Sequence, residues 1–229
     1  MWEHGRNVLR QLQNANGSWP AFAGDDSEGC WTTSLAVIAL GKSEPVEPIQ
    51  SAVQWVLTNK GRESNWLWNL KFRFADRKVQ FDPNKYGWPW IPGTVSWVIP
   101  SAFALIALKQ VSTTCCQARV TERVRLGTEM LLDRRCPQGG WNAGNGIVRG
   151  SPLKSHLDPT AIALIALADS PSDPSTQALS WLRLNWRLCA SPYGLAWAAL
   201  ALDAQRNNEF ALCVQALERS LSRIAELNT

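Results

Sequence analysis

No run of the chain approaches the roughly 20 consecutive apolar residues of a transmembrane helix, and Met1-Trp-Glu-His-Gly-Arg6 carries no signal-peptide apolar segment. The six cysteines (Cys30, Cys115, Cys116, Cys136, Cys189, Cys213) form no Cys-x-x-Cys pair. Several lie in apolar helical stretches, where a free thiol behaves as a small buried hydrophobe. A reduced, cytoplasmic protein is the expectation. Long basic blocks are also missing: the net charge of +4 is scattered through 70–78 and 119–135, which disfavours nucleic-acid binding. The run Lys71, Arg73, Arg77, Lys78 has two readings. It is a solvated helical face, or it approaches an anionic headgroup or diphosphate and implies peripheral membrane contact. Strand-like alternation is scarce, so the fold class is all-α.

What is abundant is tryptophan, 13 residues against 6 Phe and 2 Tyr in a chain of 229. Most stand beside Gly, Pro, Ser or Asn, which points to a repeated packing device rather than one aromatic core. The repeat is explicit in four apolar helices that superpose without gaps. They are Thr33-Ser-Leu-Ala-Val-Ile-Ala-Leu40, Ser101-Ala-Phe-Ala-Leu-Ile-Ala-Leu108, Thr160-Ala-Ile-Ala-Leu-Ile-Ala-Leu167 and Leu195-Ala-Trp-Ala-Ala-Leu-Ala-Leu202. Ala36, Ala104, Ala163 and Ala198 coincide, and small residues at one register let neighbouring helices approach closely.

Each such helix follows a more charged one. One domain over 1–229 is therefore expected, with hairpin repeats at about 5–41, 45–110, 117–168 and 174–206 and a final helix at 208–225. The aromatic insert 61–96 is too long for a structureless loop, and a helix is expected around 65–75.

The segments Leu12-Gln13-x-x-x-Gly17-Ser-Trp19 and Gln138-Gly-Gly-Trp141, each leading to one of these helices, resemble the QW repeats of squalene-hopene and oxidosqualene cyclases. The same α/α-toroid, helical hairpins in two concentric layers, occurs in protein prenyltransferase β-subunits and complement-type thioester domains. The thioester branch needs Gly-Cys-Gly-Glu-Gln, which is missing. The prenyltransferase branch needs an Asp-x-Cys pair and a distant His for zinc, and Asp133-Arg-Arg-Cys136 has the wrong spacing. No cofactor or metal is therefore expected. Full toroids in this family use six hairpins and this chain shows four with an extra helix, so the resemblance implies an incomplete ring. A homodimer or partner subunit would complete it.

The class II terpene cyclase branch protonates an alkene or epoxide with an acid in a run resembling Asp-x-Asp-Asp-Thr-Ala, and His156-Leu-Asp158-Pro-Thr-Ala161 matches it at Asp158. The resemblance implies Asp158 as catalytic acid, His156 as its neighbour, and Trp31, Trp97, Tyr193 and Trp197 as cation-stabilising aromatics around an apolar isoprenoid-type ligand. The bland alternative stays open: Asp followed by Pro is a helix start, with Asp158 as N-cap and Pro159 at N1. His156 is then a solvated loop residue. Asp25, Asp26 and Glu28 read as a polar connection rather than a Mg²⁺ site. Trp19 and Trp141 are expected to pack on helix ends, and Trp66, Trp68, Trp88 and Trp90 to form an entrance, a lid or a partner interface. The alternative function is a non-catalytic toroid scaffold or auxiliary subunit.

Overall fold

The computed structural model describes residues 2–25, 27–41, 46–74, 80–111, 117–169 and 173–227. Asp26, Arg77, Lys78, Cys115 and Cys116, named above, lie outside them. Among the described residues the protein is all-helical, with ten α-helices, two 3-10 turns and one pair of two-residue strands. The chain forms two compact units, Met1–Arg77 with Asp82–Asp133, and Lys78–Phe81 with Arg134–Thr229.

The first unit holds α1 (Trp2–Gln11), α2 (Thr32–Leu40), α3 (Val46–Thr58), a 3-10 turn (Arg62–Ser64), α4 (Trp66–Phe74), α5 (Val98–Gln110) and α6 (Gln117–Asp133). Helices α2 and α5 are apolar all round, and such helices can only be stable when covered on every side. They pack on each other, α2 also on α3 and α5 also on α6. Ala36 and Ala104, from the shared small-residue register, are buried. The two helices run parallel. At their heads the Trp31 N–H donates to the Trp90 carbonyl (3.0 Å) and the Trp97 N–H to the Trp88 carbonyl (3.0 Å). At their tails Gln110 Nε2 donates to the Ile38 carbonyl (3.0 Å). The helix expected around 65–75 is α4, whose start is capped by Asn65 Oδ1 accepting the Leu67 N–H at 3.0 Å.

The second unit holds β1 (Ile147–Val148), β2 (Ser151–Pro152), α7 (Leu157–Ala166), α8 (Asp173–Asn185), a 3-10 turn (Trp186–Leu188), α9 (Pro192–Ala204) and α10 (Phe210–Leu227). The strand pair was not apparent in the sequence. It is an antiparallel hairpin pairing Val148 with Ser151, turned by Arg149 (φ 51°) and Gly150 (φ 76°) in the left-handed region that two-residue hairpin loops require. The apolar helices α7 and α9 pack together and are parallel as well. At the heads Gly194 lies so near that an added Cβ would sit 3.3 Å from Leu157 Cδ2, and at the tails Gln205 Nε2 donates to the Leu164 carbonyl at 2.8 Å. Ala163 and Ala198 are fully buried, as the common register predicts.

The tryptophan corners hold the heads of three apolar helices. Trp19 donates its backbone N–H to Thr33 Oγ1 (2.9 Å), and Trp141 donates its own to Thr160 Oγ1 (2.9 Å). A third corner is present where none was expected: the Trp88 N–H donates to Ser101 Oγ at 2.8 Å. The hydroxyls are the first residues of the aligned copies, and each indole is buried. Trp19 Nε1 reaches the Leu9 carbonyl (2.7 Å) near the end of α1, and Trp88 Nε1 the Val56 carbonyl (2.7 Å) near the end of α3. Trp88, expected in an entrance or lid, is therefore a corner residue with 2% of its surface exposed. The fourth copy begins with Leu195, which has no hydroxyl to offer.

Candidate functional site

In the second unit the sequence-based site residues gather at the heads of α7 and α9. Asp158 is half-buried in the first turn of α7. It is not the N-cap. That position belongs to His156, whose backbone is extended and whose carbonyl accepts the Thr160 N–H at 3.2 Å, the first bond of the helix. Pro159 has no N–H to satisfy, and the Thr160 N–H is taken by the His156 carbonyl, so neither residue makes a demand on the Asp158 carboxylate. The expectation of an Asp158 cap with Pro159 at N1 is corrected accordingly.

No hydrogen bond or ion pair engages the Asp158 side chain among the described residues, and none joins it to His156, whose ring is exposed. What remains for its charge is the positive end of the helix dipole, worth about 0.3–1 kcal/mol. At the same end of the α7–α9 pair, Tyr193 and Trp197 of α9 meet edge to face, centroids 6.3 Å apart and planes at 79°. Tyr193 is 60% exposed and Trp197 half-buried.

In the first unit Trp31 precedes α2 and meets Trp90 edge to face at 5.0 Å, with Phe103 of α5 tilted against it at 5.8 Å. Trp90, expected at an entrance, is thus a packing partner of Trp31, and Phe103 joins a cluster the sequence reading did not assign it to. Phe103 stands third in its repeat copy, the place Trp197 holds in the fourth, which is the signal that would have found it. Trp97 is half-buried at the head of α5.

Asp25 and Glu28 are exposed, and it is the Glu28 carbonyl that is used, accepting Trp55 Nε1 at 3.0 Å and Asn16 Nδ2 at 3.2 Å. Among the described residues no group of three or more His, Cys, Asp or Glu is placed to hold a metal ion.

Two charged groups missed in the sequence are structural anchors. Arg123 of α6 is buried with its guanidinium 4.0 Å above the Trp88 ring and 5.2 Å from that of Tyr86. Its Nη2 donates to the carbonyls of Gly87 (3.1 Å) and Asn59 (3.3 Å), just past the end of α3, where a cation complements the helix dipole. Burial pushes the guanidinium down to about 10. In the second unit Glu209 joins the 3-10 turn to α10. It accepts Trp186 Nε1 (2.9 Å), Arg183 Nε (2.8 Å) and Arg187 Nη1 (2.8 Å). Burial alone would raise its carboxyl, and these three donors outweigh it and hold it below the ordinary carboxylate range.

A recess of about 600 Å³ opens elsewhere in the first unit, lined by Trp55, Asn59, Lys60, Arg62, Asn65 and Trp68 among others. Of the aromatics singled out in the sequence only Trp68 lines it, with Arg62 Cζ 4.7 Å and Lys71 Nζ 4.4 Å from its ring. Neither a protein-family model nor a curated protein matches the chain.

Proposed function

We propose that this chain is an α/α-toroid protein of the terpenoid-cyclase type that binds an apolar, isoprenoid-type ligand, with Asp158 as the acid of a class II, protonation-initiated cyclisation. The observation that carries the reading is the head of the α7–α9 pair. A carboxyl with no protein partner stands at the same end of two parallel helices as an edge-to-face Tyr193–Trp197 pair. A carboxyl that no protein group engages is open to a ligand, and aromatic faces stabilise a developing carbocation by about 0.5–2 kcal/mol each. The toroid itself is supported by the three Trp–hydroxyl corners and the two parallel buried pairs, which are the devices expected of stacked hairpins.

The test is to incubate the purified chain with squalene, geranylgeranyl diphosphate and farnesyl diphosphate and to analyse bound and cyclised material. Retention of one of these, with a cyclic product that Asp158→Asn abolishes at unchanged melting temperature, is the expected result. Binding without product would leave the ligand reading and remove the catalytic one; no binding of any of the three would overturn both.

A second reading, a scaffold or auxiliary subunit, is favoured by one observation. Leu184 of α8, Leu200 of α9, and Leu212, Leu221 and Ile224 of α10 are exposed in the second unit, the apolar side chains an unfinished repeat array presents. Light scattering checks it: a dimer that Leu200→Glu converts to a monomer supports completion of the ring by self-association.

A further inference from the structure

The α4 helix of the first unit has an unusual surface. None of its residues is buried, although six of the nine are aromatic or leucine. At about 100° per residue, Trp66, Leu70, Phe74 and Leu67 fall within one arc of about 100°, and Lys71 and Arg73 fall on its two sides. The arc faces solvent: Trp66 is 71% exposed, Leu67 57%, Leu70 51% and Phe74 63%. The opposite side meets the protein through Trp68, whose ring lies 4.7 Å from Arg62 Cζ of the 3-10 turn, and through Asn69, which donates to Asn84 Oδ1 at 3.1 Å. The apolar arc is therefore outside by construction, because α4 is pinned by its other face.

Among the described residues, the charges that flank the arc and line the adjoining recess are of one sign. Lys71 and Arg73 flank the arc, and Lys60 and Arg62 line the adjoining 600 Å³ recess, where Arg62 and Lys71 both lie over the Trp68 ring. None of the four has an acidic partner among the described residues. Glu63, the only acid among the described residues 60–74, is fully buried and accepts the Ser96 N–H.

We infer that α4 is a membrane-docking helix that lies in the interface of an anionic bilayer, with Trp66, Leu67, Leu70 and Phe74 immersed and Lys60, Arg62, Lys71 and Arg73 facing lipid phosphates. An exposed apolar arc alone would suit any partner, and the charge chooses between them. Four cations with no acidic partner among the described residues, beside exposed Trp, Leu and Phe, match the headgroup level of an anionic leaflet, whereas the centre of a protein interface is depleted in lysine. Docking is peripheral, since among the described residues no helix is long and apolar enough to cross a membrane. The inference does not rest on the proposed cyclase activity.

Co-sedimentation of the full chain with vesicles tests it. The chain is expected to pellet with phosphatidylcholine–phosphatidylserine vesicles, to stay in solution with phosphatidylcholine alone, and to be released as salt rises. Each cation near an anionic surface is worth about fivefold in partition, so Lys71→Glu with Arg73→Glu should lower binding by more than tenfold. Leu70→Glu with Phe74→Glu should abolish it. Both pairs are exposed, so thermal melts should match wild type and separate lost docking from lost folding. The inference is overturned if the wild-type chain ignores phosphatidylserine vesicles, or if either double variant pellets as well as wild type. It is equally overturned if Leu70→Glu converts a dimer to a monomer and no vesicle binding is seen, since the arc would then be an interface between two copies.

Discussion

The backbone N–H of Trp88 donates to the hydroxyl of Ser101 at 2.8 Å, and that hydroxyl also reaches the Trp88 carbonyl at 3.3 Å. The Trp141–Thr160 pair repeats both bonds at 2.9 and 3.1 Å, and Trp19–Thr33 at 2.9 and 3.4 Å. One small hydroxyl thus satisfies a buried donor of an irregular corner that would otherwise be left unpaired, and gives a second donor to a carbonyl already taken by the N–H of Cys30, Trp97 or His156. The chain can repeat an apolar helix because each corner supplies its own polar closure.

Thr160→Val therefore tests the corner. It keeps the shape and removes the hydroxyl, leaving the Trp141 N–H buried without a partner at a cost of about 1–3 kcal/mol. Thr160→Ser, which retains the oxygen, should cost less. Urea unfolding should show a lower midpoint for the valine variant with an unchanged slope.

Two glycines separate backbone strain from contact. Gly140 and Gly150 both have left-handed backbones, at φ 73° and 76°. A Cβ on Gly150 meets nothing within 4 Å, whereas one on Gly140 would lie 2.6 Å from Thr160 Oγ1. Gly150→Ala should cost only the conformational term, about 1–2 kcal/mol. Gly140→Ala should cost distinctly more because it displaces the corner hydroxyl. Thermal melts of the two variants measured side by side give the difference.

Glu209 predicts an acid-sensitive step. Its carboxyl is held below its unfolded value, so it stabilises the fold above about pH 4.3, the unfolded reference. That contribution disappears as pH falls through the lower, folded value. Glu209→Gln removes it at every pH, so the variant should be less stable than wild type at pH 7 and the gap should close on acidification. Melting temperatures from pH 7 down to pH 3 decide this; a constant gap would show that the carboxylate charge is unimportant.

The cysteines should react in a fixed order. Cys30, Cys136 and Cys213 are buried and Cys189 is half-exposed. Burial pushes the Cys213 thiol up to about 11, which leaves roughly a thousandth of it as thiolate at pH 8. A pulse of iodoacetamide followed by peptide mapping should label Cys189 well before Cys213, and urea should erase the difference.

Periodicity and small-residue register were enough to determine the helices. Thr33, Ser101, Thr160 and Leu195 align in one dimension, and the burial of Ala36, Ala104, Ala163 and Ala198 follows from that alignment because an all-apolar helix has nowhere to go but inside. The helix at 66–74 was also legible, since a long aromatic insert cannot remain unpaired. The third corner was not, because Gly87-Trp88 lacks the glutamine of the other two. Its only sequence sign is a tryptophan 13 residues before Ser101, as Trp19 stands 14 before Thr33. Only the tertiary structure could decide which tryptophans are buried clamps and which face solvent: Trp88 and Trp66 stand in the same insert, and the hydrogen bond to Ser101 takes one inside while the pinning of α4 through Trp68 and Asn69 leaves the other out. It also decided which residue caps α7. A helix start can be read from Asp-Pro-Thr, but which residue caps it depends on His156 accepting the Thr160 N–H, and that follows from the Trp141 corner that holds Thr160 in place.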